Sequence, residues 1–557
     1  MARLSSMVRA LAGGAALLLL MDATTSGNGR RFYDDDPLAH EPETVDASGV
    51  KEWDIDLFYD LAENLFARPG DPAPDQRARN INTIDEVPDS SWFTNRILAR
   101  PLAIDEAVRG PLTGSGPAPG TWAVVRPKQA GFAPGFTMRD RTGDLWFVSF
   151  DAKGFPEAAT GAILVANKIF WALGYWQVEN YLTRVRPDQL TIGESAPVRT
   201  GSGKDRPMRS GDIEAVLRRA HRSADGSYRA IAARAVPGRT LGGFRYHGTR
   251  PDDPNDIVPH EHRRELRALK VFGAWTNLTD MKAGNTLDTL ITEGGRARVR
   301  HYLQDVGSTF GTGANAPHDY DEGSEFLFEA DRTLKRLYTL GFDLEPWQTT
   351  RYEDNRAIGR FEATRFDPLT WKPRVATAAF LRARADDSFW AARRVMAFGD
   401  EMIRALVKTG HYSDPKAEQL LASVLIQRRD KIGRAYLPAI NPVIDVALDA
   451  AGTLTFGNAA VSAGVAPAPP GGYAIEWSRF DNTTGQIGAA IGSSTAGPDG
   501  RSTAPAPLPS EPGAFIVVQI RAVQAVTAAW STPVHAYFRR TGGWKLVGFE
   551  RLTAGSR

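Results

Sequence analysis

Cysteine is absent from all 557 residues, which removes disulfides, thiol nucleophiles and cysteine-based metal centres at once. An excess of charge of either sign is also lacking. The 67 Lys and Arg against 65 Asp and Glu leave a net charge of +2, so bulk electrostatic attachment to nucleic acid is not expected. The serial aromatic and basic pattern of an RNA-binding sheet is missing as well. There is no H-E-x-x-H and no G-x-S-x-G; Gly307-Ser308-Thr309-Phe310-Gly311 puts its serine one place off the elbow pattern, so a hydrolase finds little support. After the first thirty residues no apolar run approaches the length of a membrane span.

What is present is enough apolar residue, 42% of the chain, to bury cores for two to four domains. Arg3 and Arg9 precede an apolar stretch from Ala10 to Met21. That order predicts a secretory signal peptide over 1–27 and hence a secreted or periplasmic protein, the alternative being an uncleaved membrane anchor. With no lipobox cysteine, lipoprotein attachment is excluded. Residues 28–118 read as a loop-rich extension in which Trp92 and Phe93 anchor the chain to the main body, and Asp34-Asp35-Asp36 reads as a solvated acidic strip.

The most informative stretch runs from Thr279 to Gly307. Asp280, Lys282 and Asn285 form D-x-K-x-x-N; strand-like 286–291 and 296–303 flank a turn at Glu293-Gly294-Gly295; then comes Asp305-Val306-Gly307. A hairpin returns its chain to its origin, so Asn285 leaving on one strand and Asp305 re-entering on the other can share one hard cation. The plainer alternatives are a helix-terminating cap for Asp280 and a turn residue before Gly307 for Asp305.

Here the chain resembles the protein-kinase-like superfamily, in an atypical form nearer HipA-type or secreted kinases. D-x-K-x-x-N looks like its catalytic loop, and D-V-G looks like its D-F-G turn with valine for phenylalanine. The resemblance implies that Asp280 orients or deprotonates an acceptor hydroxyl and that Lys282 steadies the transferred phosphoryl group. It also implies that Asn285 and Asp305 hold Mg²⁺ or Mn²⁺, with ATP as cosubstrate. A small lobe of this kind opens with a glycine-bearing hairpin, then a lysine-bearing strand, then a helix carrying a glutamate. Residues 121–139 supply a hairpin around Gly131 and Gly135, but the next strand, 144–150, has Ser149 where the lysine belongs, leaving Lys128 or Lys153 as substitutes. Residues 156–173 read as the helix, with Glu157 either its glutamate or a first-turn acid that favours the helix dipole.

A second helix is expected over 260–275, with Leu266, Leu269, Phe272 and Trp275 inward, Arg263, Arg264, Arg267 and Lys270 solvated, and His260 and His262 at the surface or capping. His301 reads as a structural imidazole. Residues 227–242 read as strand-like and hinge-forming, and helices return at 387–408 and 414–437. Beyond Pro438 about six strands alternate with Gly/Pro/Ser loops, the last two forming a hairpin at Thr541-Gly542-Gly543. The expected class is α+β: a two-lobed kinase-like domain, with a β-rich small lobe (119–248) and a mainly helical large lobe (249–438). An all-β sandwich of immunoglobulin or fibronectin III type follows (439–557). Two functions compete. One is phosphoryl transfer to a hydroxyl of a protein or small molecule; the other is a pseudokinase that binds nucleotide or acts as a scaffold, which Ser149 favours. Envelope association through the N-terminus or the sandwich is a further expectation.

Overall fold

The computed structural model describes residues 29–551 except 74, 129, 130, 132, 201, 202, 340, 341, 343 and 526; the expected signal sequence lies outside them. Among the described residues no helix is long and apolar enough to cross a membrane. The first sheet holds β1 (Trp122–Pro127), β2 (Gly135–Arg139), β3 (Leu145–Phe150), β4 (Asn180–Val185), β5 (Leu190–Ile192) and, after the short ribbon β6 (Pro197–Arg199) and β7 (Asp205–Pro207), β8 (Tyr228–Arg234). Its order is β4-β8-β3-β2-β1-β5. Alternation sends Val124, Phe136, Met138, Trp146, Val148 and Phe150 into one core, while the other face carries Thr137, Phe147, Ser149 and Ile231. The helix Ala158–Leu173 lies between β3 and β4 in sequence and packs against β3, β4 and β8.

A three-stranded sheet, β11-β10-β9, joins β9 (Arg239–Thr240) to the hairpin β10 (Leu287–Glu293) and β11 (Arg296–Tyr302). The helices Leu269–Thr276, Ala385–Met396, Asp400–Lys408 and Pro415–Tyr436 then build the large core around Trp275, Trp390 and Leu425. Asp414 caps the longest of them through the amide of Lys416.

The expected helix over 260–275 is three pieces, His260–His262, Arg264–Arg267 and Leu269–Thr276. The arginines expected in solvent are fully buried, as are His260 and His262. Each finds carboxylates there: Arg264 meets Asp85 at 2.9 Å, Asp387 at 2.9 Å and Asp386 at 3.1 Å. Arg263 meets Glu41 at 3.1 Å and Asp256 at 3.5 Å, and Arg267 meets Asp387 at 3.1 Å. Two of these acids, Glu41 and Asp85, come from the N-terminal extension, which therefore packs against these helical pieces. Trp92 stacks on His301 with ring centroids 3.6 Å apart, and Phe93 is fully buried. The acidic strip is split: Asp34 is exposed and pairs with Arg539 at 2.7 Å, whereas Asp36 is buried.

The last segment forms two antiparallel sheets, β12 (Val443–Leu448), β13 (Thr453–Asn458) and β16 (Arg501–Thr503) in one, β14 (Tyr473–Asp481), β15 (Gln486–Ala496), β17 (Phe515–Ala522), β18 (Val534–Thr541) and β19 (Gly543–Glu550) in the other. Phe456 and Tyr473 meet edge to face between them, centroids 4.9 Å apart. On the outer face of the larger sheet Phe32 packs on Phe480, Val517 and Tyr537, so the N-terminal extension crosses this sheet too.

Candidate active-site cleft

Between the small sheet and the Gln304–Val306 segment lies a cleft of about 390 Å³, within the range of small-molecule sites. Its roof is a cross-strand row: Asn180 pairs with Ala233, Ala233 with Phe147, Phe147 with Thr137 and Thr137 with Arg126. Phe147 is 43% exposed in the middle of a sheet, so this face of the sheet is left open to the cleft. Ile163 of the helix Ala158–Leu173 and Val178 close the rear, and Asp305 stands on the floor.

Two cations reach this roof because β1 is bulged. Val124 pairs with Met138, yet Arg126 pairs with Thr137, leaving Val125 unpaired. In a regular strand Trp122, Val124, Arg126 and Lys128 would share the core face; the extra residue moves the last two to the cleft. Lys128 then brings its Nζ to 3.4 Å from Ser149 Oγ, so a lysine does stand beside the strand position that lacks one. Lys153 lies elsewhere, its amide bonded to the Arg219 carbonyl.

The glycines serve different ends. Gly131 sits at positive φ in the β1–β2 turn with Lys128 Nζ 3.8 Å from where a Cβ would be, whereas a Cβ on Gly135 would lie 2.2 Å from the Val148 carbonyl oxygen. Gly135 is thus required for β2 to approach β3. Glu157 is not brought to the cleft. It precedes its helix in left-handed conformation; its carboxylate accepts from the Ser413 amide at 2.8 Å and lies 3.7 Å from Arg229. The helix is capped instead by buried Asp151, which accepts from the amides of Glu157 and Thr160 at 3.0 and 2.9 Å. Burial raises the Asp151 carboxyl against those hydrogen bonds.

The floor is the loop and hairpin. The helix Leu269–Thr276 ends on Asn277 in left-handed conformation, so Asp280 is not its cap. Asp280 is one-third exposed and holds Lys282 at 2.8 Å. Asn285 donates its side-chain N–H to the Asp280 carbonyl at 2.7 Å. The hairpin pairs Leu287 with Tyr302, and just beyond it the Asp305 amide donates to the Asn285 carbonyl at 3.0 Å, so the two ends do return to one place. Asp305 Oδ1 also accepts from the Gly307 amide at 2.9 Å, and the turn role coexists with exposure to the cleft. Buried Val306 joins the large core. A Cβ on Gly307 would lie 2.9 Å from Ile163, which ties the turn to the helix above it. The hairpin base is locked by fully buried Asp288, which meets His301 Nδ1 at 2.7 Å and Arg250 at 3.0 Å.

A carboxylate and an amide oxygen on adjacent backbone are hard donors of the type Mg²⁺ and Mn²⁺ take, so Asp305 and Asn285 fit such an ion. No cluster of three or more His, Asp or Glu groups suited to a metal occurs among the described residues, so an ion held there would have to complete its ligands from outside the protein. The serine flagged beside Gly307 is not activated. Trp371 donates to Asn277 Oδ1 at 2.8 Å, which turns the Asn277 amide nitrogen to His318 Nδ1 at 3.3 Å. His318 Nε2 therefore carries the proton facing Ser308 Oγ at 2.9 Å, and burial holds its pKa below the ordinary histidine value.

Arg126, Phe147 and Val178 escaped the sequence reading. Only Phe147 left a trace there, as a large aromatic on the strand face that Ser149 shares. No protein-family model matches the chain, and no curated protein does. Among solved structures it is similar to the Golgi casein kinase with Mn/ADP bound, at 8% identity and a TM-score of 0.28, over 59% of this chain and 76% of that one. Another structure of the Golgi casein kinase gives 8% identity and a TM-score of 0.25 over 59% and 74%. Similarity this low decides neither fold nor chemistry; those rest on the cleft and the loop.

Proposed function

We propose that this chain is a secreted or envelope-associated phosphotransferase of kinase-like build, moving the γ-phosphoryl of ATP to a hydroxyl of a protein or small molecule. The observation that carries the reading is that Lys128 and Asp305 line one cleft from two separate segments, with the Asp280–Lys282 loop tied to Asp305 through Asn285. The order hairpin, strand, helix, with the helix touching the D-V-G turn, supports the two-lobed arrangement. The base would pack against Phe147, Ile163 and Val178, while Arg126 and Lys128 neutralise phosphate oxygens. A divalent ion on Asp305 and Asn285 would screen charge between the phosphates when bound. Asp280 orients an acceptor hydroxyl and takes its proton; Lys282, held beside it, faces the charge that develops on the transferred group.

One observation favours the pseudokinase: Glu157 is committed to Arg229 and Ser413, so Lys128 has no glutamate partner on the helix. Incubation with γ-labelled ATP and Mg²⁺ or Mn²⁺ separates the two. Metal-dependent loss of the γ-phosphoryl group that falls roughly 10²-fold or more in Asp280→Asn identifies a working base; nucleotide binding without turnover assigns the chain to the scaffold class. The C-terminal strands, taken in order as A to G, group as A-B-E and C′-C-F-G with β19 added, which supports the immunoglobulin or fibronectin III reading.

A further inference from the structure

Val178, which closes the rear of the cleft, also lines a second cavity, of about 620 Å³, inside the range of small-molecule sites. Four pieces of chain enclose it. They are the turn after the short helix Ile104–Arg109, the chain running from the helix Ala158–Leu173 into β4, the link 235–237 that leaves β8, and β11 through Arg300 and Tyr302. The cavity therefore touches both the small sheet and the hairpin that leads to Asp305.

Its charges are uneven. Arg109, Arg234 and Arg300 line it, against Glu179 as the one carboxylate of the lining. Arg109 is exposed, and its guanidinium has no partner among the described residues. Arg234 lies 3.8 Å from Glu179, but that carboxylate already accepts from the Thr113 hydroxyl at 2.7 Å and from the Tyr181 hydroxyl. Arg300 is met by Glu293 at 3.2 Å from outside the lining and lies 4.0 Å over the Trp176 ring. A fourth cation sits under this wall. Lys168 is buried, its ammonium has no partner among the described residues, and a Cβ on Gly110 would lie 2.9 Å from its Cγ. Burial, with no charge to oppose it, brings its pKa down to about 8. An ammonium buried without a counter-charge is costly, and an anion in the cavity would bring that charge. Trp171, Trp176 and Tyr302 supply aromatic surface, with Arg96 Cζ 4.6 Å from the Trp171 ring.

We propose that this cavity is an effector site for a small aromatic anion, its acid group held by Arg109 and Arg234 and its ring set against the tryptophans. Guanidinium forks match the oxygens of a phosphate or carboxylate, and indole rings pack well against other aromatic rings. A ligand there would tie Arg234 of the small sheet to Arg300 of the hairpin. The path to the cleft is short. Gln177 donates to the Leu303 carbonyl at 2.8 Å, and the Leu303 amide donates to the Trp176 carbonyl at 3.2 Å, two residues before Asp305. The filled cavity would steady the Asp305 segment and tighten nucleotide binding, and by linkage the nucleotide would tighten the effector by the same factor. That coupling alone rests on the phosphotransfer reading; binding of the anion does not.

The test is equilibrium dialysis of the full chain against 1-naphthyl phosphate, beside the variant Arg109→Gln/Arg234→Gln. Both side chains are exposed, so circular dichroism and the thermal midpoint of the variant should match the parent. The parent should bind the ester saturably, and the variant should bind it roughly tenfold more weakly or worse. Inorganic phosphate should bind the parent at least about tenfold more weakly than the ester, because it leaves the rings unused. Lys128→Ala and Asp305→Ala should bind the ester like the parent, so failure of the nucleotide site leaves this result standing. No binding by the parent at millimolar ester overturns the proposal, as does equal affinity in parent and double variant. Equal affinity for phosphate and ester overturns it too, and so does loss of binding in Lys128→Ala, which would place the ester in the cleft.

Discussion

At the scale of single residues, the account turns on how a lysine comes to stand beside Ser149. Lys128 Nζ, 3.4 Å from the hydroxyl, should meet a phosphate with a charge-assisted bond. Lys128→Ala should therefore weaken ATP binding about tenfold to a hundredfold in a calorimetric titration, while Lys153→Ala leaves it unchanged. Moving the charge back to the strand, as Lys128→Ala/Ser149→Lys, should restore most of the loss. The sequence showed the candidates but not the choice between them, because a single unpaired residue, Val125, decides which face Lys128 takes. Glu157 misled for a related reason. Its position in the chain fits a first helical turn, but the helix begins one residue later, and Arg229 and Ser413 hold the carboxylate away from the cleft.

At the scale of elements, the hairpin β10–β11 was legible because turn residues and alternation fix register locally, and at its base the Asp305 amide donates to the Asn285 carbonyl. The strand β15 was not legible: Gly488-Ala489-Ala490 and Gly492-Ser493-Ser494 lack the β-branched residues that mark a strand, and its long exposed edge shows little alternation. Arg263, Arg264 and Arg267 defeated the pattern altogether, since helical spacing assigns charge to solvent unless distant acids are known. Removing Arg264 would take away the one cation that Asp85, Asp386 and Asp387 share, leaving these buried carboxylates with only Arg77, Arg384, Arg267 and Arg551 at their edges. We expect Arg264→Ala to cost about 3–5 kcal/mol in urea unfolding, far more than an exposed arginine on the same elements. A neighbouring acid gives the pH dependence. Burial alone would raise Glu86, but Arg393 and Arg394 outweigh it and hold the carboxyl at about 2, below its ordinary 4.5. That stabilisation is present above about pH 4.5 and is lost as pH falls toward 2. A thermal-midpoint profile should drop across that window, and Glu86→Gln should flatten the drop.

At the scale of the whole molecule, the sequence reads as an extension, two lobes and a spacer, but buried contacts knit these pieces together. Arg551 near the C-terminus lies 3.5 Å from Asp85 of the N-terminal extension and donates to the carbonyls of Asn441 and Val443. Phe32 covers the outer face of the larger C-terminal sheet, and one apolar core runs from Phe93 through Trp390 to Trp530. Calorimetry of the intact chain should accordingly show one cooperative transition rather than separate melting of residues 439–557. The measurement closest to the central claim is the thermal midpoint with ATP and Mg²⁺ or Mn²⁺ for the parent and for Asp305→Ala. A ligand that binds only the folded state must raise the midpoint by mass action. The account predicts a rise that needs both nucleotide and metal and that vanishes in Asp305→Ala. A rise of equal size in that variant, or none in the parent for any nucleotide, would contradict it.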